Sequence, residues 1–278
     1  MKLAELIQQA YAEDMPQGDL TTDSLNVKER LGRARLLAKE DLVLAGREVF
    51  EACVRHISPT TDFNWQFKDS DLVLNKQTVC WLKGNLIELL KAERVALNFL
   101  GRLSGIASLT RCFVQEAQGT KCKILDTRKT TPLYRSLEKK AVRAGGGHNH
   151  RMNLSESILL KDNHLRAVGG LAQAVAAVRE TYSGFIEVEC STLEEVKTAV
   201  ELRVSRILLD NMSTALMHEA RQMIPAIIEV EASGNMNLKR IREVAETGVD
   251  FISVGALTHS APCADFSLLF EWTASEGT

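Results

Sequence analysis

Five short apolar runs in the second half of the chain constrain the fold most strongly. They end as ILLKD at Asp162, IEVEC at Cys190, RILLD at Asp210, IIEVEAS at Ser233 and FISVG at Gly255. Each is rich in Ile, Val and Leu, as strands buried on both faces must be. The polar residues near their ends are Lys161, Glu189, Asp210, Ser233 and Gly255, spaced by 28, 21, 23 and 22 positions. Helical patterns near 168–181, 193–202, 214–223 and 238–247 fill the gaps, so each interval holds one strand, one helix and two loops. This rhythm predicts a β/α barrel whose carboxyl-end rim collects the polar residues. A doubly wound open sheet is the rival, but no GxGxxG opens the first βα turn. Eight strands would strain the length left, so six or seven are expected, in an incomplete barrel.

Residues 1–105 read differently, as a mixed α/β domain covering the barrel mouth. Leu3, Leu6 and Ile7 place an apolar stripe on a first helix, and 31–44 and 63–79 hold strand-like pieces. A helix over 85–103 is expected to end at Ser104-Gly105, with another starting beyond it. The barrel domain then spans 106–278, with a C-terminal tail free to return to the first domain.

Lys plus Arg total 34 and Asp plus Glu 36, a formal charge of −2. Such a balance speaks against a general nucleic-acid coat, which relies on excess positive charge. No stretch reaches 18 apolar residues, so no membrane span is expected, and the acidic N-terminus does not read as a signal peptide. The six cysteines form no CxxC and read mostly as buried thiols of a cytoplasmic protein.

Positive charge is concentrated locally. The segment 128–151, RKTTPLYRSLEKKAVRAGGGHNHR, holds seven Lys/Arg residues against one Glu. Lys139, Lys140 and Arg143 read as the solvated face of a helix over 135–143. Arg128, Lys129, His150 and Arg151 flank that helix and point instead to an anionic small molecule, since the guanidinium fork meets two carboxylate oxygens together. Gly145-Gly146-Gly147 is a turn, or a source of backbone donors. Ser233-Gly234-Asn235, between strand and helix, together with Gly255, suits a terminal phosphate.

Glu189 and Asp210 are acids aimed into the mouth, able to hold Mg²⁺ directly or through water, or to face a developing positive charge. Glu187 and Glu229 alternate with Val and read as side-facing or interlayer contacts. Asp126 and Asp162 are candidates to orient neighbouring Arg, Lys or His. Lys161 has three readings: anion binder, Schiff-base nucleophile or structural ion pair. His148, His150 and His164 form no metal-ligand spacing, which disfavours zinc.

These residues resemble the quinolinate phosphoribosyltransferase family. The matching passages are EDMPQGDLTT (13–22), AERVALNFLGRLSGIAS (92–108), LDTRKTTP (125–132), GGGHNHR (145–151), LLKDNH (159–164), EVEC (187–190), LLDN (208–211), EASGN (231–235) and ISVGALTHS (252–260). The resemblance implies an N-terminal α/β sandwich, a C-terminal incomplete α/β barrel and a homodimer. It implies transfer of phosphoribosyl from phosphoribosyl pyrophosphate to quinolinate with Mg²⁺, yielding nicotinate mononucleotide, pyrophosphate and CO₂. It places Arg128, His150, Arg151 and Lys161 on the pyridine dicarboxylate, with Arg94 reaching in from the neighbouring subunit. Lys129, Glu189 and Asp210 would face the donor and its metal, and Ser233, Gly234 and Gly255 the 5-phosphate. Two stretches depart from the family pattern: Leu133-Tyr134-Arg135 after TRKTTP, and 152–156 after the HR pair. They keep open a molybdenum-transport-associated paralogue; a Schiff-base aldolase using Lys161 is the rival enzyme class.

Overall fold

The computed structural model describes residues 2–27 and 29–272. The chain divides into two compact units, one formed by 1–109 with 261–278 and the other by 110–260.

In the first unit the strands are β1 (Leu31–Ala38), β2 (Leu42–Val43), β3 (Asp62–Trp65), β4 (Leu72–Val73) and β5 (Thr78–Asn85). The second contributes β6 (Lys123–Leu125), β7 (Ile158–Leu160), β8 (Ile186–Cys190), β9 (Arg206–Asp210), β10 (Glu229–Ser233) and β11 (Phe251–Ser253), and β12 (Phe266–Glu271) returns to the first. An antiparallel sheet runs β12-β1-β5-β3, and β2 pairs with β4. Along β1 the pleat buries Ala34, Leu36 and Ala38, while Arg33 and Arg35 turn outward and lie over the Trp81 ring, Arg33 at 4.3 Å.

The second unit holds one parallel sheet in the order β6-β11-β10-β9-β8-β7. This is the incomplete β/α barrel, with six strands, and β6 and β7 do not pair among the described residues. Instead, residue 148 lies along the free edge of β6: the His148 N–H donates to Ile124 O (2.8 Å) and its carbonyl accepts from the Asp126 N–H (3.0 Å). Connecting helices include Leu171–Arg179, Leu193–Glu201, Thr214–Met223 and Leu238–Glu246. A further short helix, Asp162–Val168, precedes the first of these, broken from it by Gly169 and Gly170, both at positive φ. Val188, Ile207, Leu209, Val230, Ala232 and Ile252 are fully buried on one face of the strands. Alternate residues face the other way: Glu187 and Glu189, Leu208 and Asp210, Glu231 and Ser233, and Ser253. No helix among the described residues is long and apolar enough to cross a membrane. All six cysteines are free thiols, and Cys53, Cys80, Cys122 and Cys190 are buried.

The expected break at Ser104-Gly105 is absent: one helix runs Leu86–Glu116. Gly105 is there for close packing. A Cβ on it would lie 1.8 Å from the Pro262 carbonyl oxygen, and one on Gly101 would lie 2.7 Å from that of Ala264. Ser104 also serves packing, its hydroxyl taking the Ala45 N–H at 3.1 Å. Gly105→Ala is therefore expected to destabilise the protein by about 1–3 kcal/mol, the usual cost of overpacking. Urea denaturation measures this, and an unchanged midpoint would show that segment 261–264 does not need the approach.

Candidate active site

The site is assembled at the carboxyl ends of the parallel strands, within the second unit. A cavity of about 520 Å³ is lined by Thr127, Arg128, Lys129, His150, Arg151, Leu159, Lys161, Glu189, Leu208, Asp210, Asn211, Glu231, Ser233, Gly234, Asn235 and Ser253. Nine of the residues singled out from sequence meet there: Arg128, Lys129, His150, Arg151, Lys161, Glu189, Asp210, Ser233 and Gly234. Gly255 stands behind the lining, where a Cβ would come within 3.0 Å of Lys129 Cδ. Arg94 lies in the first unit and lines a hollow there with Asp14–Leu20, Leu90 and Lys91. The glycine run 145–147 does not line the cavity; a Cβ on Gly147 would meet Thr110 and Val142 at 2.8 Å.

One wall is cationic. Arg128 and Arg151 make no ion pair among the described residues, and Arg128 Nε is buried without a hydrogen-bond partner. Burial and the neighbouring Arg128 charge both pull the Arg151 pKa down from its ordinary value. Arg151 is aimed by a hydrogen bond from its guanidinium to the Ser157 carbonyl (2.7 Å). Two neighbouring guanidiniums, with only the Glu187 charge acting against that of Arg151, suit an anion.

The carboxylates stand on the adjoining strand ends. Glu189 Oε2 lies 3.7 Å from Lys161 Nζ. Burial raises the Glu189 pKa, Lys161 opposes that shift, and Asp210 and Asp162 add to it. Asp210 accepts from Asn211 Nδ2 at 2.7 Å. Next to it, Gly234 has φ +94, and a Cβ there would lie 2.2 Å from Asn211 Oδ1, so only glycine fits the turn. Arg240 pins that turn through the Gly234 carbonyl at 3.1 Å. Oxygen donors from Glu189 and Asp210 are the set a hard dication such as Mg²⁺ takes.

Loop 145–151 is fixed from behind by Asp126, which follows β6. The Asp126 carboxylate accepts from Lys139 Nζ, from Asn149 Nδ2 (2.5 Å) and from the His150 N–H (2.9 Å). Lys139 also donates to the His150 carbonyl at 2.8 Å. Lys139 is thus not solvated as its helix pattern suggested. It is 1% exposed, because its charge is matched by an acid thirteen residues earlier, whereas Lys140 and Arg143 are exposed as expected. Burial pushes the Asp126 pKa up, and hydrogen bonds from Lys139 and its charge pull against that.

His150 is held at both ring nitrogens. Nδ1 accepts the Arg151 N–H (2.8 Å), and Nε2 faces Glu187 (3.1 Å) and Glu231 (3.6 Å). Burial lowers its pKa, but the Glu187 bond and the two carboxylate charges outweigh burial and raise it overall. The Arg151 N–H directed at Nδ1 places the imidazole proton on Nε2.

Beneath His150 lies a cluster that sequence reasoning missed. Glu187 is 1% exposed and faces the barrel interior, with Glu231 at 0%. Arg206 Nη1 is 3.1 Å from Glu231 and 4.0 Å from Glu187, Arg206 Nη2 is 2.7 Å from Glu229, and the guanidinium stacks on Phe251 at 4.2 Å. Burial first, and then the Glu187 charge, raise the Glu231 pKa well above the carboxylate range. The alternation of Glu with Val in β8 and β10 was the available signal. Ligand atoms of His150, Glu187 and Glu231 lie within 4.8 Å of one another, but the Arg206 guanidinium already supplies the cation there.

The quinolinate phosphoribosyl transferase C-terminal domain model matches residues 106–269, and the N-terminal domain model matches 19–104. A probable nicotinate-nucleotide pyrophosphorylase [carboxylating] of Synechocystis is 42% identical, covering 94% of this chain and 90% of its own length. The chloroplastic nicotinate-nucleotide pyrophosphorylase [carboxylating] of Arabidopsis thaliana is 39% identical over 96% of this chain and 82% of its own. The structure of the nicotinate-nucleotide pyrophosphorylase from Francisella tularensis superposes with a TM-score of 0.93 at 35% identity, covering 97% of this chain and 96% of that one. With both domain models matched in order along this fold, the chain belongs to the quinolinate phosphoribosyl transferase family.

Proposed function

We propose that this protein transfers the phosphoribosyl group of phosphoribosyl pyrophosphate to quinolinate and decarboxylates the product, forming nicotinate mononucleotide, pyrophosphate and CO₂. The observation that carries this reading is the neighbouring Arg128 and Arg151, neither in an ion pair among the described residues, lining one cavity with Glu189 and Asp210. A pyridine with two adjacent carboxylates matches two guanidiniums that make no ion pair. Lys161, half exposed at 51%, adds a third positive charge beside the same wall.

Arg128, Arg151 and Lys161 bind and orient the dicarboxylate, and His150 walls that side. Its ring is locked, so it contributes shape rather than a free N–H. Ser233, the Gly234 turn and Gly255 receive the 5-phosphate. Lys129, whose carbonyl is held by the Thr258 hydroxyl at 2.8 Å, reaches the donor side. Glu189 and Asp210 would hold Mg²⁺, directly or through water, and the chemistry such an ion supplies is charge neutralisation of the leaving pyrophosphate. As the C1–oxygen bond lengthens, positive charge on ribose C1 faces these carboxylates, and the pyridine nitrogen closes on C1. The ring is then cationic. The bond from C2 to its carboxylate breaks, its electron pair stays on C2 beside the positive nitrogen, and a proton replaces the departing CO₂. Lys161 orients that carboxylate. No Schiff base is needed, since the pyridinium is already the electron sink. In this reading the enzyme is a homodimer, and Arg94 of a second subunit completes the dicarboxylate site.

Incubation with quinolinate, phosphoribosyl pyrophosphate and Mg²⁺ should yield nicotinate mononucleotide and CO₂ in equal amounts, and a chelator should stop both. Pyrophosphate release without CO₂ would sink the assignment of quinolinate. A charged hydrogen bond is worth about 1.5–3 kcal/mol, so Arg151→Ala should weaken quinolinate use by about ten- to a hundredfold and phosphoribosyl pyrophosphate use far less. Equal losses in the two separately measured binding constants would count against the role of Arg151. Arg94→Ala mixed with Arg151→Ala should regain activity through complementary subunits, and no recovery despite verified subunit exchange would argue against a shared site.

A further inference from the structure

Arg135 is the first residue of the helix Arg135–Ala144 and is absent from the cavity lining. All three arms of its guanidinium fork are nonetheless used. Nε donates to the Thr130 hydroxyl (3.0 Å), Nη2 to the Arg128 carbonyl (3.4 Å) and Nη1 to the Met152 carbonyl (3.2 Å). These acceptors lie on two separate loops. One is 126–134, which carries Arg128, and the other is 151–157, which carries Arg151. One planar cation thus ties the backbone at one cavity arginine to the backbone next to the other.

Both loops need such a tie. Arg128 and Arg151 line the same cavity wall as like charges, and burial first and then the Arg128 charge pull the Arg151 pKa down. The first loop is also strained: Leu133 stands at φ +68 with its side chain 68% exposed, a conformation L-residues avoid. The same helix start grips that loop a second time, through the Thr131 N–H and hydroxyl bonded to Glu138 at 3.2 and 2.9 Å. The carbonyls at 128 and 152 accept hydrogen bonds from Arg135, while the side chains of Arg128 and Arg151 line the cavity. Nothing on the 5-phosphate side, at Ser233 or Gly234, touches Arg135.

We infer that Arg135 is a positioning residue that sets the spacing of Arg128 and Arg151, and with it the affinity for the aromatic dicarboxylate more than for the phosphoribosyl donor, to which only Lys129 of the tied loop reaches. This inference rests on the proposed reaction for the identity of the dicarboxylate.

Steady-state kinetics on the full-length protein tests it, with both substrates varied separately. Arg135→Ala is expected to raise KM for quinolinate about tenfold or more and KM for phosphoribosyl pyrophosphate by a clearly smaller factor, through Lys129 alone, because misplacing a positioning group by about an ångström has effects of that size. Added guanidinium, at a concentration the wild type tolerates, should return the quinolinate KM toward its wild-type value. A side chain that only supports the fold would leave a defect that no small cation repairs. Arg135→Lys, which offers one ammonium in place of a three-armed fork, should fall between wild type and Arg135→Ala, and it carries the measurement if Arg135→Ala does not fold. Leu133→Gly, which relieves the strained turn without touching the fork, should leave both KM values unchanged. Both KM values rising by the same factor, an unchanged quinolinate KM, or no guanidinium rescue at a wild-type melting temperature would each overturn the inference. Wild-type turnover of quinolinate to nicotinate mononucleotide is the separate control on the reaction. If the wild type binds quinolinate in a calorimetric titration without turning it over, the reaction falls, and the Arg135 variants are then compared by that titration.

Discussion

The Asp126 carboxylate, buried after the last residue of β6, accepts a lysine ammonium, a side-chain amide and a backbone N–H. A carboxylate so placed would be costly to desolvate alone, and Lys139 alone would be equally costly. Together they are satisfied only when the helix Arg135–Ala144, β6 and the loop at 149–150 occupy one arrangement. The side chains of His150 and Arg151 inherit that arrangement, because the His150 N–H and carbonyl are both bonded to the pair. The binding wall is therefore fixed by a buried ion pair that never touches the cavity. Residue 148 laid along the free edge of β6 does the same work at the backbone level, covering one side of the gap in the barrel.

Charge is distributed across the cavity by the same logic. With 34 basic and 36 acidic residues, the chain has almost no net field to steer a highly anionic reactant. Attraction must come from local separation of charge. The cations come from the loop after β6, the loop before β7 and the end of β7, and the acids from the ends of β8 and β9. In the proposed reaction a dicarboxylate would meet the first group, and a group that becomes positive during bond cleavage would meet the second. Within each wall the like charges raise the cost of leaving it empty, and this is the condition under which fixed charges act as preorganised electrostatics.

Much of this was legible in the sequence because it depends on short-range periodicity. Strand ends recurring about every 22 residues announce a layered barrel, and Lys161, Glu189, Asp210 and Ser233 sit where that rhythm puts them. The passages around Arg128 and His150–Arg151 carried the family signature. What stayed hidden depends on pairs far apart along the chain. Lys139 read as a surface lysine because nothing local reveals Asp126. Gly105 read as a helix end because its reason, the Pro262 carbonyl, lies more than 150 residues later. Glu187 was visible as an alternating acid, but its burial depends on Arg206 from the neighbouring strand. Arg135 stood in a stretch that departs from the family pattern, and only the folded loops show that its fork spans both.

The charged barrel interior is tolerable because stability is generated elsewhere. On the helix-facing side of the strands, Val188, Ile207, Leu209, Val230, Ala232 and Ile252 are fully buried, and this apolar layer supplies the hydrophobic stabilisation of the unit. The opposite face is then free to hold Glu187, Glu231, Arg206 and His150, whose charges offset one another although Glu187 Oε1 and Glu231 Oε1 have no hydrogen-bond partner. Buried ion clusters of this kind add little net stability, yet losing one member leaves a desolvated charge and costs several kcal/mol. They therefore penalise every arrangement except the one in which all partners meet. Because alternate residues face opposite sides, a slip of one residue in any strand would turn its acids into the apolar layer and its valines into the cavity. Packing on one face and charge on the other reject the same slipped registers, and the register they both select is the one that brings the catalytic rim together.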